Sequence, residues 1–138
     1  MTVYFEDITV GQSASFRKTV TEADIVLFAG ITGDHNPVHT DEEYARTTPF
    51  GKRVAHGLLT SSLVSTVLGN QLPGPGTIYL SQSMRFKAPV FIGDTVTASV
   101  EVVALDTVKR RVTLATRCTV GGRTVLEGEA LVKAPSRE

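Results

Sequence analysis

The chain has 138 residues, with 14 Lys plus Arg balanced by 14 Asp plus Glu, and a single cysteine. That length suits one domain, residues 1–138, since a chain of this size buries about 70% of the surface it exposes when unfolded. Zero net charge without a long basic run gives a nucleic-acid partner no electrostatic footing, and the lone Cys118 excludes an intrachain disulfide or a thiolate metal cluster.

The start, Met1-Thr2-Val3-Tyr4-Phe5-Glu6-Asp7, is acidic and lacks the positive region and apolar core of a signal peptide. The most apolar stretch, Gly57 to Gly69, is too short and too rich in Ser and Thr to span a bilayer. A soluble, cytoplasmic protein with no membrane partner is expected. Ser13 to Thr19 can form a strand. Thr21 followed by Asp24 has the form of a helix cap, and Ile25, Phe28 and Ile31 recur at helical spacing until Gly33, which predicts a helix over Glu22–Thr32. Pro37 lacks an N–H and drives Asn36 out of the α region, so Asp34 to His39 is expected on a tight non-helical loop. A short helix should begin near Thr40 and include Asp41, Glu42 and Glu43.

From Gly57 to about Leu68 the apolar residues Leu58, Leu59, Leu63, Val64, Val67 and Leu68 cover more than one helical stripe, and no residue there carries a charge. A helix without charges is one surrounded by protein. Gly69-Asn70 should end it, and Leu72-Pro73-Gly74-Pro75-Gly76 is a loop. The period then switches to two. Ile78, Leu80, Met84 and Phe86 alternate with polar neighbours, as do Val96, Ala98, Val100, Val102 and Ala104, and then Val112, Leu114, Cys118 and Val120, before Gly121-Gly122 turns into Arg123 to Lys133. Four strands in succession predict an antiparallel meander, with Ser13 to Thr19 as a fifth strand. A sheet with one apolar face and one uncharged helix closes most simply by wrapping around that helix, an α+β arrangement. Ala134 to Glu138 reads as a frayed tail.

Asp34 and His39 stand five residues apart across the Pro37 loop, close enough for a carboxylate and an imidazole to share one water or substrate atom as an acid/base pair. The plainer alternative is that Asp34 makes an Asx-turn and His39 packs at the start of the next helix. Asn36 either orients the loop, donates to the pair, or serves as a turn residue. His56-Gly57 begins the central helix, where free N–H groups and the positive end of the dipole meet, so the Gly57 amide can polarise a carbonyl oxygen; close helix-to-sheet packing is the other use of a glycine there. A metal site from Asp34, His35, His39 and His56 has suitable ligand types but matches no common zinc spacing, and no metal is expected.

Phe28 to Ala45, containing Thr32-Gly33-Asp34-His35-Asn36-Pro37-Val38-His39, resembles the signature of the MaoC-like, (R)-specific enoyl-CoA hydratase family (hydratase 2). Val54-Ala55-His56-Gly57-Leu58-Leu59 and Phe86-Lys87-Ala88-Pro89-Val90-Phe91-Ile92-Gly93-Asp94 follow in that family's order. With Glu6-Asp7 and Val10-Gly11, the resemblance covers nearly the whole chain. It implies a hot-dog fold, an antiparallel sheet wrapped around a central helix, and a homodimer whose sheets join edge to edge. The activity it implies is hydration of a trans-2-enoyl-CoA to the (R)-3-hydroxyacyl-CoA by Asp34 and His39, with no cofactor beyond the coenzyme A carried by the acyl-CoA substrate. Which of the two takes water's proton stays open in the sequence; the preferred assignment makes His39 the base and Asp34 the partner that orients water and relays the proton. Ser65 corresponds by resemblance to a serine near the substrate pocket. Leu68, three residues on, shares its helix face and is expected to set the depth of the acyl cavity. Lys52, Arg53, Arg85 and Lys87 are candidates for the coenzyme A phosphates.

Three rival functions share parts of this pattern. A 3-hydroxyacyl-ACP dehydratase would use the same residues on a different carrier. A hot-dog thioesterase often carries a carboxylate on its central helix, and Gly57 to Leu68 has none. A non-catalytic acyl-thioester-binding subunit would not need both Asp34 and His39.

Overall fold

Thr21 opens helix α1 (Glu22–Thr32) with a reciprocal cap: its hydroxyl accepts from the Asp24 amide, and the Asp24 carboxylate accepts from the Thr21 amide. Gly33 closes the helix at φ 79°, a left-handed position that side chains resist. The computed structural model describes residues 1–138. Past α1 the chain departs from the sequence expectation. Pro37 starts a helical turn instead of barring one, because at the first helical position its missing N–H has no bond to lose. Asn36 caps this turn, α2 (Pro37–Thr40), by accepting from the Val38 amide, and Asp41 then caps α3 (Glu42–Arg46) from outside rather than lying within it.

A 3-10 turn (Phe5–Asp7) precedes strand β1 (Ser13–Thr19), and the central helix α4 (Gly57–Asn70) runs through Gly69 to Asn70 before Gln71 ends it. After the loop come β2 (Ile78–Phe86), β3 (Thr95–Asp106), β4 (Arg111–Val120) and β5 (Arg123–Lys133). All pairings are antiparallel, in the order β1-β3-β4-β5-β2. The meander therefore holds three strands, not four: β2 lies beside β5 at the far edge and does not pair with β3. Alternation fixes which residues face inward but says nothing about which strand lies next to which.

The inward faces are those the alternation picks out, Val96, Ala98, Val100 and Val102 on β3 and Val112, Leu114 and Cys118 on β4, all essentially inaccessible. Ala104 is an exception. A bulge between Val102 and Ala104 shifts the register, leaving Ala104 exposed and pairing Leu105 with Val112. α4 packs on β1, β3 and β4 through Leu63, Val64, Val67 and Leu68, forming one core cluster with the inward strand residues.

Two surfaces differ from expectation. The face of α4 away from the sheet, with Leu58, Ser62 and Ser65, is exposed yet uncharged, and on β2 the apolar Ile78, Tyr79, Leu80 and Phe86 are all exposed. The tail, by contrast, is tied down. Pro135 accepts from the Phe5 amide, Ser136 and Arg137 bond to Glu6, and Arg137 pairs with Asp7.

Candidate active site

The site is assembled by short-range hydrogen bonds in the segment after α1. The Thr32 hydroxyl donates to the Phe28 carbonyl (2.8 Å) and accepts from the Asp34 amide (3.1 Å), turning the chain as it leaves the helix. Asp34 Oδ1 then accepts from the Asn36 amide (3.2 Å), and Asn36 Oδ1 accepts from the Val38 amide (3.1 Å). Asp34 thus makes the Asx-turn that the plainer reading predicted, with its second oxygen still free for chemistry. Asn36 has a defined structural use: it caps α2, which carries His39.

His39 is buried, and its Nδ1 lies 2.7 Å from the Val54 carbonyl. A carbonyl can only accept, so Nδ1 carries the proton and Nε2 of the neutral ring is a lone pair. Desolvation depresses the His39 pKa most strongly, and the neighbouring His56 ring lowers it further; the bond to Val54 and the charge of Asp34 pull the other way without overcoming burial. The ring is therefore held as a free base. Its backbone is fixed from outside by Arg53, whose Nε donates to the His39 carbonyl (2.7 Å) while its guanidinium pairs with Glu22 at 2.8 Å. Arg53 thus already has two partners, the His39 carbonyl and the Glu22 carboxylate.

His56 stands immediately before α4 and is 2% exposed. Its Nε2 lies 3.1 Å from the Asp34 backbone carbonyl, and its ring stacks on His39 with centroids 3.9 Å apart and an interplanar angle of 27°. Phe28 covers it as well, at 4.9 Å. The sequence places His56 only at the head of the helix and in a possible metal set. Its contacts with Asp34 and His39 arise from chain segments far apart in sequence, and the one available signal was a histidine beside the Gly57 that opens a charge-free helix.

A cavity of about 580 Å³ opens over these groups, lined by Asp34, His39, His56, Gly57, Thr60 and Leu126 among others. The Gly57 and Leu58 amides, at the start of α4, have no acceptor within the protein, so the positive end of the helix faces the same space. Gly57 also meets a packing need: a Cβ there would stand 2.6 Å from Cε1 of Phe86. The close-packing use of this glycine is thus present in the structure.

Ser65 and Leu68 lie elsewhere. Leu68 is 1% exposed in the core, and Ser65 lines a separate groove with Tyr79, Leu80 and Gln82. Leu126 lines both the cavity and that groove. Lys87 is on the cavity rim beside Glu127, and Lys52 sits over the Phe91 ring at 4.3 Å.

Donor atoms of Asp34, His39 and His56 come within 4.8 Å of one another. They do not fit an ion. Imidazole lone pairs lie in the ring planes, so two stacked rings aim theirs side by side rather than at one point about 2.0–2.1 Å from each nitrogen. His35 is exposed and lies outside this group.

An antiparallel sheet around an uncharged helix, with a carboxylate and a neutral imidazole beside that helix's free amides, defines a hot-dog protein built for acid/base chemistry. The chain belongs to the MaoC-like domain family, whose model matches residues 7–123. It is 58% identical over 134 residues to an (R)-specific enoyl-CoA hydratase of Rhodospirillum rubrum, covering 97% of this chain and 93% of that one. To a 3-hydroxybutyryl-CoA dehydratase of Methylorubrum extorquens it is 53% identical over 136 residues, 99% of this chain and 87% of the other. Among solved structures, the unliganded R-hydratase PhaJ1 of Pseudomonas aeruginosa superposes with a TM-score of 0.93 at 43% identity, covering 99% of this chain and 88% of that chain.

Proposed function

We propose that this protein is an (R)-specific 2-enoyl-CoA hydratase, adding water across the trans-2 double bond of an acyl-CoA thioester to give the (R)-3-hydroxyacyl-CoA, and catalysing the reverse dehydration. The observation that carries the reading is the His39 tautomer: Nδ1–H is committed to Val54, which leaves Nε2 as the lone pair of a ring that has a nitrogen within 4.8 Å of an Asp34 carboxylate oxygen. Relatives at 53% and 58% identity over nearly the whole chain bear hydratase and dehydratase names for acyl-CoA substrates.

In this mechanism His39 Nε2 takes a proton from a water oriented by Asp34, and the oxygen forms a bond to C3. The π electrons of the double bond move through C2 to the thioester oxygen, where the Gly57 amide stabilises the enolate. The proton then reaches C2 by way of Asp34 as the enolate collapses, which restores the starting dyad. Coenzyme A enters with the substrate, and the steps need no resident cofactor.

A homodimer completes the molecule. The exposed apolar residues of β2 and the uncharged outer face of α4 lie together at one edge of the sheet, and a second copy adding strand to strand would cover both.

The test is to follow loss of the enoyl-thioester absorbance with crotonyl-CoA and to resolve the product's configuration by chiral chromatography. The (R)-3-hydroxy product supports the reading. No loss of absorbance, or an (S) product, overturns it, and turnover confined to crotonyl-ACP would transfer the activity to the carrier protein.

A further inference from the structure

His56 is the one buried ionisable side chain at this site that the mechanism above does not use. Its Nε2 can bond to the Asp34 carbonyl only as a donor, because a carbonyl has no proton to give. In the neutral ring, Nδ1 is then a lone pair, and that atom is buried with no hydrogen-bond partner. A histidine in this setting is a poor solution to packing alone, since an apolar ring of similar size would fill the space without stranding an acceptor. What the imidazole supplies that such a ring cannot is the bond to the Asp34 backbone. The ring face does a second thing: stacked at 3.9 Å, it holds the plane of His39, with Phe28 behind it.

We propose that His56 is a positioning residue for hydration, holding the Asp34 turn through Nε2–H and the His39 ring through the stack, so that carboxylate and base meet the same water. This rests on the assignment of Asp34 and His39 as the dyad.

Two replacements separate the parts of this role. His56→Phe keeps an aromatic ring against His39, removes the stranded acceptor and loses the bond to Asp34. His56→Gln keeps an amide donor in reach of that carbonyl and loses the ring. Steady-state hydration of crotonyl-CoA should show kcat for His56→Phe down about 10- to 100-fold, the scale of a misplaced reacting group, with KM within about twofold. His56→Gln should recover part of that loss. In His56→Gln the Cε1–H resonance of His39 should lose the ring-current shift of the stacked imidazole, whereas His56→Phe keeps an aromatic ring there.

Wild-type kcat in His56→Phe would overturn the proposal. Should His56→Phe not fold, wild-type kcat in His56→Gln overturns it equally. Asp34→Asn and His39→Ala belong in the same assay: full turnover in those two removes the dyad itself, whereas their loss beside unaffected His56 variants removes only the role given to His56.

Discussion

At the residue scale the decisive feature is that two imidazoles are each fixed in one tautomer by a backbone carbonyl. Asp34→Asn and His39→Ala should each lower kcat for hydration by about 10²–10⁴-fold, the usual worth of a positioned acid or base. The exposed Asp34 should be replaced with little change in Tm, while His39→Ala leaves the Val54 carbonyl unpaired at a cost of about 1–3 kcal/mol. The double variant should lose far less than the product of the two, since both groups act on one water; a multiplicative loss measured by a double-mutant cycle would separate them. The pH dependence follows from the lowered His39 pKa. Activity needs the free base, so kcat/KM should hold level down to the ordinary histidine value of 6.5 and fall only below it. Stability has the same sign: the unfolded chain protonates His39 first, so stability is full above 6.5 and is lost as pH falls through the folded value. A kcat/KM profile whose acid limb lies above 6.5 would mean that His39 is not shielded as described. Asp34 and His39 were legible in the sequence because a carboxylate and an imidazole flanking Asn36-Pro37 are a local pattern. His56 was not, because its donor bond and its stack are made across the fold.

At the scale of elements, the helices declare themselves through their ends and the sheet through its period, but the two kinds of signal carry different information. Caps are local chemistry, and so Thr21, Asp24 and Gly33 place α1 as the sequence predicts. Pro37 misleads because its two effects were merged: it does keep Asn36 extended, at ψ 122°, yet it sits comfortably at the first position of the helix that follows. Strand order is non-local, and nothing in an alternating pattern tells β2 to pair with β5. The end of α4 is where an element meets the chemistry. Gly57→Ala would place a Cβ against the Phe86 ring, and that ring, 56% exposed, can swing aside without moving the helix. The variant should therefore fold with a Tm close to wild type while kcat/KM falls about 10- to 100-fold, because the displaced ring and the new methyl crowd the space before the Gly57 amide. Thermal denaturation and kinetics on the same preparation check this. Unchanged kcat/KM would take the thioester oxygen away from Gly57.

At the scale of the whole molecule, one chain leaves its apolar edge uncovered, and sedimentation velocity at micromolar concentration should find a dimer. Leu80→Glu on β2 should shift it toward monomer; a wild-type monomer at that concentration would mean the β2 edge is not an interface. The remaining question is where the acyl tail runs. Spacing along α4 suggested Leu68 as the floor of the cavity, but a helix face read from sequence does not say which neighbour it meets, and Leu68 points into the core. The cavity in front of the Gly57 amide is also lined by Thr60, Val125 and Leu126, and Leu126 lines the groove that holds Ser65 as well. Leu126 is the wall between the two spaces, so Leu126→Ala should join them and admit longer chains. The ratio of kcat/KM for trans-2-octenoyl-CoA to that for crotonyl-CoA should rise by about 10-fold or more, in the range that a few methylenes in an apolar pocket are worth. Leu68→Ala should instead cost about 2–5 kcal/mol of stability, as a buried leucine does, and leave that ratio where it was. A ratio that moves in Leu68→Ala and stays fixed in a folded Leu126→Ala would put the tail along α4 after all.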